Sequence, residues 1–434
     1  MLARDTRQWF KLLFGFEERV GSFAAYRETK ARFALVGESQ EYLVVPENGR
    51  KFTAGKFSCP SLAELRAQMA ARSGNITMTM ARATTTAIAV SAGESAPAVL
   101  AASGVADPAG VPLTRTPFSY VHEAITDLKQ MHLDNVGATF QAASQFNALE
   151  FASPTYTPEM GLTCYCNDPT QGPACALACP AGTVVRNYFA PTANGQLGQS
   201  HDNQLNNLDL VADLLSSAQE AGAGEEAGPE REAFFKVENG YVDSSDEKLR
   251  RLNALLEAKF GTPQALDVLR AAVKIGLQED TEVLLDGRQE EKGQGGAPGG
   301  ENAQDRILVT QCYCSAISCG YSQVKDTDLW RPLACVVLEA AYEATILAAI
   351  LNRARGGARD VFLTRLGGGV FRNRDDWISS AIGRALAMAA HSKSDLRVVI
   401  CHYRRIDAQH KQEVDRAFSE ELARLQAQGE NGAV

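Results

Sequence analysis

The sequence predicts an α/β fold, with a mostly parallel sheet held between layers of helix. Three observations point there. The last third of the chain alternates short apolar strands with long helices of apolar periodicity. A run of three glycines, Gly367 to Gly369, joins one of those strands to the helix that follows. Over its 434 residues the chain is 45% hydrophobic and 22% charged, a composition that can bury a sizeable core.

From the N-terminus, Gln8 to Arg27 opens as a short helix with apolar Trp9, Phe10, Leu12, Leu13, Phe14 and Phe16, ending at Phe14-Gly-Phe-Glu-Glu18. Phe33 to Val45 and Lys51 to Phe57 form a strand pair around Pro46-Glu-Asn-Gly49. Leu62 to Arg72 fits a helix with Ser61 as its N-cap. Residues 75 to 90 alternate small polar and apolar side chains, as a strand does, and 91 to 117 form an Ala/Gly/Pro/Ser-rich loop. Ala138 to Asn147 is a strand ending in polar residues. Asp168-Pro-Thr-Gln-Gly-Pro-Ala174 opens a short helix, and Leu205 to Leu215 and Glu247 to Phe260 are helices.

Residues 218–232 and 287–305 are Gly- and Glu-rich, with few apolar side chains, and read as flexible insertions. Between them Val273 to Val283 is strand-like, and a period of two puts Gln278, Asp280 and Glu282 on one face. The strand Ile307 to Cys314, the helix Leu333 to Arg353, the strand Val361 to Leu363, the helix Trp377 to Ala390 and the strand Leu396 to Tyr403 follow. A closing helix carries Val414, Phe418, Leu422 and Leu425. Ligands of such sheets sit at the carboxyl ends of the strands. If all these strands share one sheet, that rule gathers Asn147, Asp168, Asp280 and the glycine run at one rim.

The bulk numbers exclude some functions. A net charge of −9 with no Lys/Arg-rich block argues against nucleic acid. No apolar stretch reaches the ~18 continuous residues of a membrane span. Leu333 to Leu351 contains Glu339 and Glu343 and reads as a buried helix, the two carboxylates serving ion pairs or caps. The first residues are charged and then amphipathic, unlike a signal peptide, so an intracellular, cytoplasmic location is expected. Among the ten cysteines, Cys164, Cys166, Cys175 and Cys179 cluster, as do Cys312, Cys314 and Cys319. Their spacings lack paired Cys-x-x-Cys knuckles. The expectation is no metal and no disulfide, with Cys164 and Cys166 on one face of a strand and all of them reduced core residues.

The glycine run is the most informative feature. Val361-Phe-Leu-Thr-Arg-Leu-Gly-Gly-Gly-Val-Phe-Arg-Asn373 leads a strand into a helix through a turn whose amides can cradle a diphosphate. No Lys-Ser or Lys-Thr follows, and Gly-x-Gly-x-x-Gly is absent, so neither the P-loop nor the dinucleotide fingerprint applies. The plain alternative is a tight turn.

Thr364-Arg-Leu-Gly-Gly-Gly-Val-Phe371, Trp377-Ile-Ser-Ser-Ala-Ile382 and Leu396-Arg-Val-Val-Ile400 together resemble the second ligand loop and final strand of the macrodomains, which bind ADP-ribose. Ser144-Gln-Phe-Asn147 resembles their first ligand loop, and Tyr165 to Ala174 the loop around the distal ribose. With Arg186-Asn-Tyr-Phe189 and Tyr342-Glu-Ala-Thr345 added, the set is similar to a divergent branch of bacterial effectors and eukaryotic proteins that removes ADP-ribose from arginine. The Asn-Ala-Ala-Asn signature of ordinary macrodomains is missing from the first loop.

That resemblance implies a three-layer α/β/α macrodomain-like mixed sheet with an elaborated N-terminal region and insertions. Residues 121–434 would be the core, and residues 1–120 an extension packed on it that completes the adenine site. It implies a hydrolase acting on ADP-ribosylated protein arginine, or else a reader of ADP-ribose without turnover, needing no cofactor. Its ligand residues would be Phe16 and Glu17 or Glu18 at the adenine, Asn147, Gln171 and Gly172 at the distal ribose, and Thr364, Gly367, Gly368, Gly369, Val370, Phe371 and Asn373 around the diphosphate. Cleavage needs a carboxylate near the anomeric carbon. Asp168 is the first candidate, with Asp280 and Glu282 after it; for Asp168, before Pro169, the plain alternative is a turn initiator.

Overall fold

The computed structural model describes residues 8–72, 116–220, 233–284 and 306–431. The expected strand at 75–90, nearly all of the loop at 91–117, the insertion at 287–305 and most of that at 218–232 lie outside the described residues.

Seven strands form the central sheet: β4 (Lys56–Ser58), β5 (Ser119–Ile125), β6 (Thr139–Ala143), β9 (Gly276–Glu282), β10 (Leu308–Cys314), β11 (Asp360–Leu363) and β12 (Arg397–Tyr403). Their spatial order is β4-β9-β10-β6-β11-β12-β5. Only β9 runs against the rest. The middle strands alternate cleanly: Val361, Leu363, Val398 and Ile400 enter one core, Phe362 and Val399 the other. Each face therefore needs a covering layer. The three-layer α/β/α mixed sheet expected from the sequence is the one found.

One layer holds α8 (Asp246–Phe260), α9 (Pro263–Ala272), α10 (Arg331–Ala354) and α11 (Asp375–His391), with α12 (Ala408–Asn431) against α11. Gly383 makes that last contact possible, since a Cβ there would lie 2.5 Å from the Ala417 methyl. The helical stretch Thr327–Ala354 is long and apolar enough for a membrane span, but 78% of its apolar 18-residue window is buried in this fold. Glu343 on α10 accepts from Arg66 Nε and Arg384 Nη1, both at 2.7 Å, and Glu339 pairs with Arg270. Both are the ion-pair roles expected. The other layer holds α4 (Leu128–Asp134), α5 (Gln171–Ala178) and α6 (Pro180–Tyr188).

The N-terminal segment is knitted into this body. Helices α1 (Trp9–Phe14) and α2 (Phe23–Lys30) pack beside an antiparallel sheet of β1 (Ala34–Val36), β2 (Tyr42–Val45) and β3 (Arg50–Thr53), and β4 adds an edge strand to the main sheet. Gly15 caps α1 in the left-handed conformation. Residues 62–72 form α3, where the Ser61 hydroxyl accepts from the Glu64 amide and the Glu64 carboxylate accepts from the Ser61 amide.

Two expectations need correction. Cys164 and Cys166 lie on a 3₁₀ helix, Leu162–Asn167, rather than a strand. All ten cysteines are unpaired, and Cys175, Cys179, Cys312, Cys314 and Cys319 are buried. The period of two also fails in β9. Val309 pairs with Thr281 and Gln311 with Gln278, so Glu279 and Asp280 together face one residue and Asp280 bulges out at φ +55°. Gln278 and Glu282 are buried while Asp280 is exposed.

Candidate functional site

Strand direction decides which candidates can meet. The carboxyl ends of β6, β10 and β11 share one rim, where Cys314 pairs with Ala143 and Leu363 with Ile400. Antiparallel β9 brings its first residue there, Gly276 opposite Tyr313, and its last to the far end, Glu282 opposite Leu308. Six residue steps of strand separate those ends, about 20 Å. Asp280 and Glu282 therefore stand at the opposite rim from the glycine run, which corrects the expectation that they share its site. Glu282 accepts there from the Thr53 amide at 2.8 Å and from Arg306 Nη1 at 3.2 Å. Burial is the leading influence on its carboxyl, and pushes it up.

At the near rim the loop after β6 folds back on itself. The Asn147 carboxamide accepts from the Leu149 amide at 3.1 Å and donates to Gln204 at 2.8 Å, and the residue is 1% exposed. Gln145 exchanges two bonds with the Phe151 backbone. Under this loop Arg186 donates Nε to the Ala148 carbonyl at 3.0 Å and Nη2 to Glu150 at 3.1 Å, and its guanidinium lies 3.5 Å from the Tyr313 ring centroid. Glu150 and Arg186 side chains are both fully buried. Burial raises the Glu150 carboxyl, with Arg186 opposing.

Gln171 and Gly172 are likewise consumed by the fold. Gln171 accepts from the Ala143 amide at 2.7 Å and donates to the Gln141 carbonyl at 2.8 Å, extending β6 as a substitute strand. A Cβ on Gly172 would meet the Ala143 carbonyl oxygen at 1.9 Å, so only glycine lets α5 approach. Phe16 is buried among Phe10 and Phe33 with Arg32 stacked on it, and Glu17 is an exposed partner of Lys11. Glu18 is the less exposed of that pair. It accepts from the Leu162 and Thr163 amides, the Thr163 hydroxyl and the Tyr188 hydroxyl, and so fixes the turn that leads to Asp168. The polar side chains of Asn147 and Gln171 are spent on these contacts, and Gly172 on close packing, whereas Phe16 and Glu17 line a surface pocket with Lys11, Arg19 and Arg32.

The glycine loop is built differently. Tyr342, buried on α10, donates its hydroxyl to the Thr364 carbonyl at 2.7 Å and accepts from the Leu366 amide at 2.9 Å. Gly367 sits at φ +73°, and a Cβ there would crowd the Ala316 methyl at 2.5 Å. Asn373 closes the loop, its amide donating to the Gly367 carbonyl at 2.9 Å and its carboxamide to the Ile317 carbonyl at 2.7 Å. Between these anchors the amides of Gly367, Gly369, Val370 and Phe371 donate to no acceptor among the described residues. Gly369 and Val370 are exposed, Val370 at 59%. A Cβ on Gly369 would meet nothing within 4 Å. Thus the rim presents a pinned loop with four unpaired donors, two of them on exposed residues.

Asp168 is half-buried, and its carboxylate accepts from the Thr170 amide at 2.9 Å, the turn-initiator arrangement. Its charge nonetheless reaches the Tyr241 hydroxyl, which burial first, then Tyr321 and Asp168, hold above the ordinary phenol range. Tyr241, on β8 (Tyr241–Asp243), lies 5.5 Å from the Phe371 ring of the glycine loop. Sequence reasoning missed Tyr342, Tyr241, Tyr321 and the Glu150–Arg186 pair. Arg186 and Tyr342 fall within conspicuous motifs, but nothing in those motifs distinguishes a scaffold from a contact.

No family model matches the chain, and no curated protein matches it. Several solved structures resemble it distantly. Poly(ADP-ribose) glycohydrolase from Deinococcus radiodurans in complex with ADP-ribose is 10% identical at a TM-score of 0.30, covering 72% of this chain and 86% of that one. The apo form of the same enzyme is 11% identical at 0.30, covering 72% and 85%. Poly(ADP-ribose) glycohydrolase from Thermomonospora curvata is 13% identical at 0.22, covering 57% and 98%. Values this low speak to neither ligand nor reaction.

Proposed function

We propose that the chain binds ADP-ribose at the near rim and hydrolyses the N-glycosidic bond joining it to protein arginine. The observation that carries the reading is the set of four unpaired amides, Gly367, Gly369, Val370 and Phe371, fixed on a loop at the carboxyl ends of parallel strands. Such donors suit a diphosphate. The motifs quoted for the arginine-specific branch supply the reaction class. In that reaction the bond from the anomeric carbon to the guanidine nitrogen breaks and a water oxygen bonds to the carbon. Asp168 orients that water, takes its proton and passes it to the departing guanidine nitrogen, giving ADP-ribose and free arginine.

A second reading, a module that holds ADP-ribose without turnover, is favoured by the use of the Asp168 carboxylate in its own turn. Calorimetric titration with ADP-ribose, followed by incubation with arginine-ADP-ribosylated protein, separates the two. Asp168→Asn preserves the turn, because asparagine accepts the same bond. It should retain ADP-ribose binding while turnover falls by about 100-fold or more. Unchanged turnover in that variant would remove Asp168 from the chemistry, and binding without turnover in the wild type would leave the reader.

A further inference from the structure

His122 on β5, His402 on β12 and His410 on α12 gather where those three elements meet. The ring hydrogens of two of them are dictated by their neighbours. The Asp407 amide donates to His402 Nδ1 at 3.2 Å, so the hydrogen of that neutral ring lies on Nε2. From there it is donated to His122 Nδ1, 2.8 Å away, which leaves the His122 hydrogen on Nε2, 3.5 Å from Asp415 Oδ1. Both acceptor nitrogens of this relay are taken, and a further proton on either ring would set two donors against each other. The relay reaches the glycine loop through Arg365. Asp407 caps α12 by accepting from the Gln409 and His410 amides at 3.1 Å each, and its carboxylate lies 3.9 Å from Arg365 Nη1. Arg365 also bonds Asp375 at the start of α11, and its stem packs so closely on the loop that a Cβ on Gly368 would lie 2.9 Å from Arg365 Cγ. The other polar groups around the array are His410, Ser379, Glu413, Tyr120 and Lys411. The His410 ring is 5.6 Å from that of His402, with Nδ1 2.9 Å from the Ser379 hydroxyl, which also donates to Glu413. Tyr120 and Lys411 both donate to Asp415.

We propose, resting on the reading that the glycine loop binds ADP-ribose, that this relay is a proton switch: a proton on His402 releases the Asp407 turn, Arg365 loses its seat against Gly368, and ADP-ribose binds more weakly. Burial first, and then Arg365, hold the His402 ring below the ordinary histidine range, with Asp407 opposing, so the proton and the seated arginine compete. Burial likewise lowers His122, against the pull of Asp415. The protonated form is the loosened one, so affinity is full above the ordinary histidine range and falls as the pH drops below it. A positive charge acting only through space would strengthen the binding of an anion instead. The sign of the pH dependence therefore separates the contact path from a bare field effect.

The test is calorimetry with ADP-ribose from pH 7.5 down to about pH 5, below the melting temperature at each pH. Wild type should weaken about threefold or more over that range. His402→Asn, whose carboxamide oxygen accepts from the Asp407 amide and takes no proton, should match wild type at pH 7.5 and change by less than about twofold. Arg365→Met breaks the path without touching the relay; it should bind more weakly already at pH 7.5 and lose the pH dependence. A flat wild-type profile, tighter binding in acid, or the wild-type slope in either variant would overturn the switch. Nitrogen NMR of the imidazoles in the ligand-free protein at pH 7.5 should show His122 and His402 both carrying their hydrogen on Nε2, and a hydrogen on His402 Nδ1 would overturn the relay. Absence of ADP-ribose binding by the wild type at pH 7.5 would instead strike the ligand reading, with the imidazole spectra still judging the relay.

Discussion

Two loops leave the same rim of the sheet and spend their polar groups in opposite ways. After β6, Gln145, Asn147 and Glu150 are all engaged within the protein, and a buried arginine reaches up to hold the turn from below. After β11, Tyr342 and Asn373 pin the loop while the amides of Gly367, Gly369, Val370 and Phe371 remain without partners among the described residues. Similar position and similar apolar strands thus yield one closed support and one open donor surface. A rim position alone does not leave donors open; the pairing around each loop decides it.

The comparison breaks most severely at the closed loop. Glu150→Ala leaves Arg186 charged, buried and without its counter-ion, a change that costs about 3–5 kcal/mol. Denaturant unfolding should register a loss of that size. A loss below about 1 kcal/mol would show that the pair is not needed to hold the loop.

Acidification touches both loops. His132 stacks on Phe140 in the strand feeding the closed loop, and burial pulls it down to about 4. His410 is also pulled down to about 4, by burial and then by Arg365 of the open loop, with His402 and His122 adding to that and Asp407 opposing. Both are depressed from 6.5, so the unfolded chain binds the extra protons. Stability is intact above about pH 6.5 and falls as the pH drops toward 4, by about 2 kcal/mol per histidine between pH 7.5 and 5. Melting across that range checks the sign, and His410→Asn should flatten the slope. A steeper slope in that variant would contradict the assignment.

At the open loop, Gly367→Ala forces a left-handed residue and a methyl contact, for about 1–3 kcal/mol. ADP-ribose affinity should fall with it, and unaltered affinity would detach the cradle from that turn. Tyr342→Phe is gentler, removing one hydroxyl bridge for about 1 kcal/mol. It should weaken ADP-ribose more than it lowers the melting temperature would suggest, because the loop loses its aim rather than its packing.

The fold was legible because the apolar pattern is strong where it matters: Val361, Leu363, Val398 and Ile400 alternate with Phe362 and Val399, and the long α10 announces itself. The glycine loop was legible as a turn from a strand into a helix, because three glycines in a row favour neither element. What escaped was set by strand direction and by tertiary pairing. Nothing local in Gly276 to Glu282 says that this strand runs backwards, so Asp280 and Glu282 were assigned to the wrong rim, and the bulge at Asp280 spoiled its period of two. Nor does Ser144-Gln-Phe-Asn147 reveal that its polar groups are consumed from within. That depends on Gln204, Phe151 and Arg186, far along the chain or hidden beneath it. Tyr321 owes its place to Gly320 touching Val370, a contact between two loops with no sequence mark.

The central claim is that the open amides of the glycine loop receive an anionic diphosphate. It is tested most directly by calorimetric titration of ADP-ribose into the wild type and Val370→Asp, whose carboxylate would sit on an exposed crest residue with little effect on stability. Wild type should bind, and the variant should bind about tenfold or more weakly at an unchanged melting temperature. Equal affinity in the two proteins would place ADP-ribose elsewhere, and no binding by the wild type at millimolar ligand would contradict the claim outright.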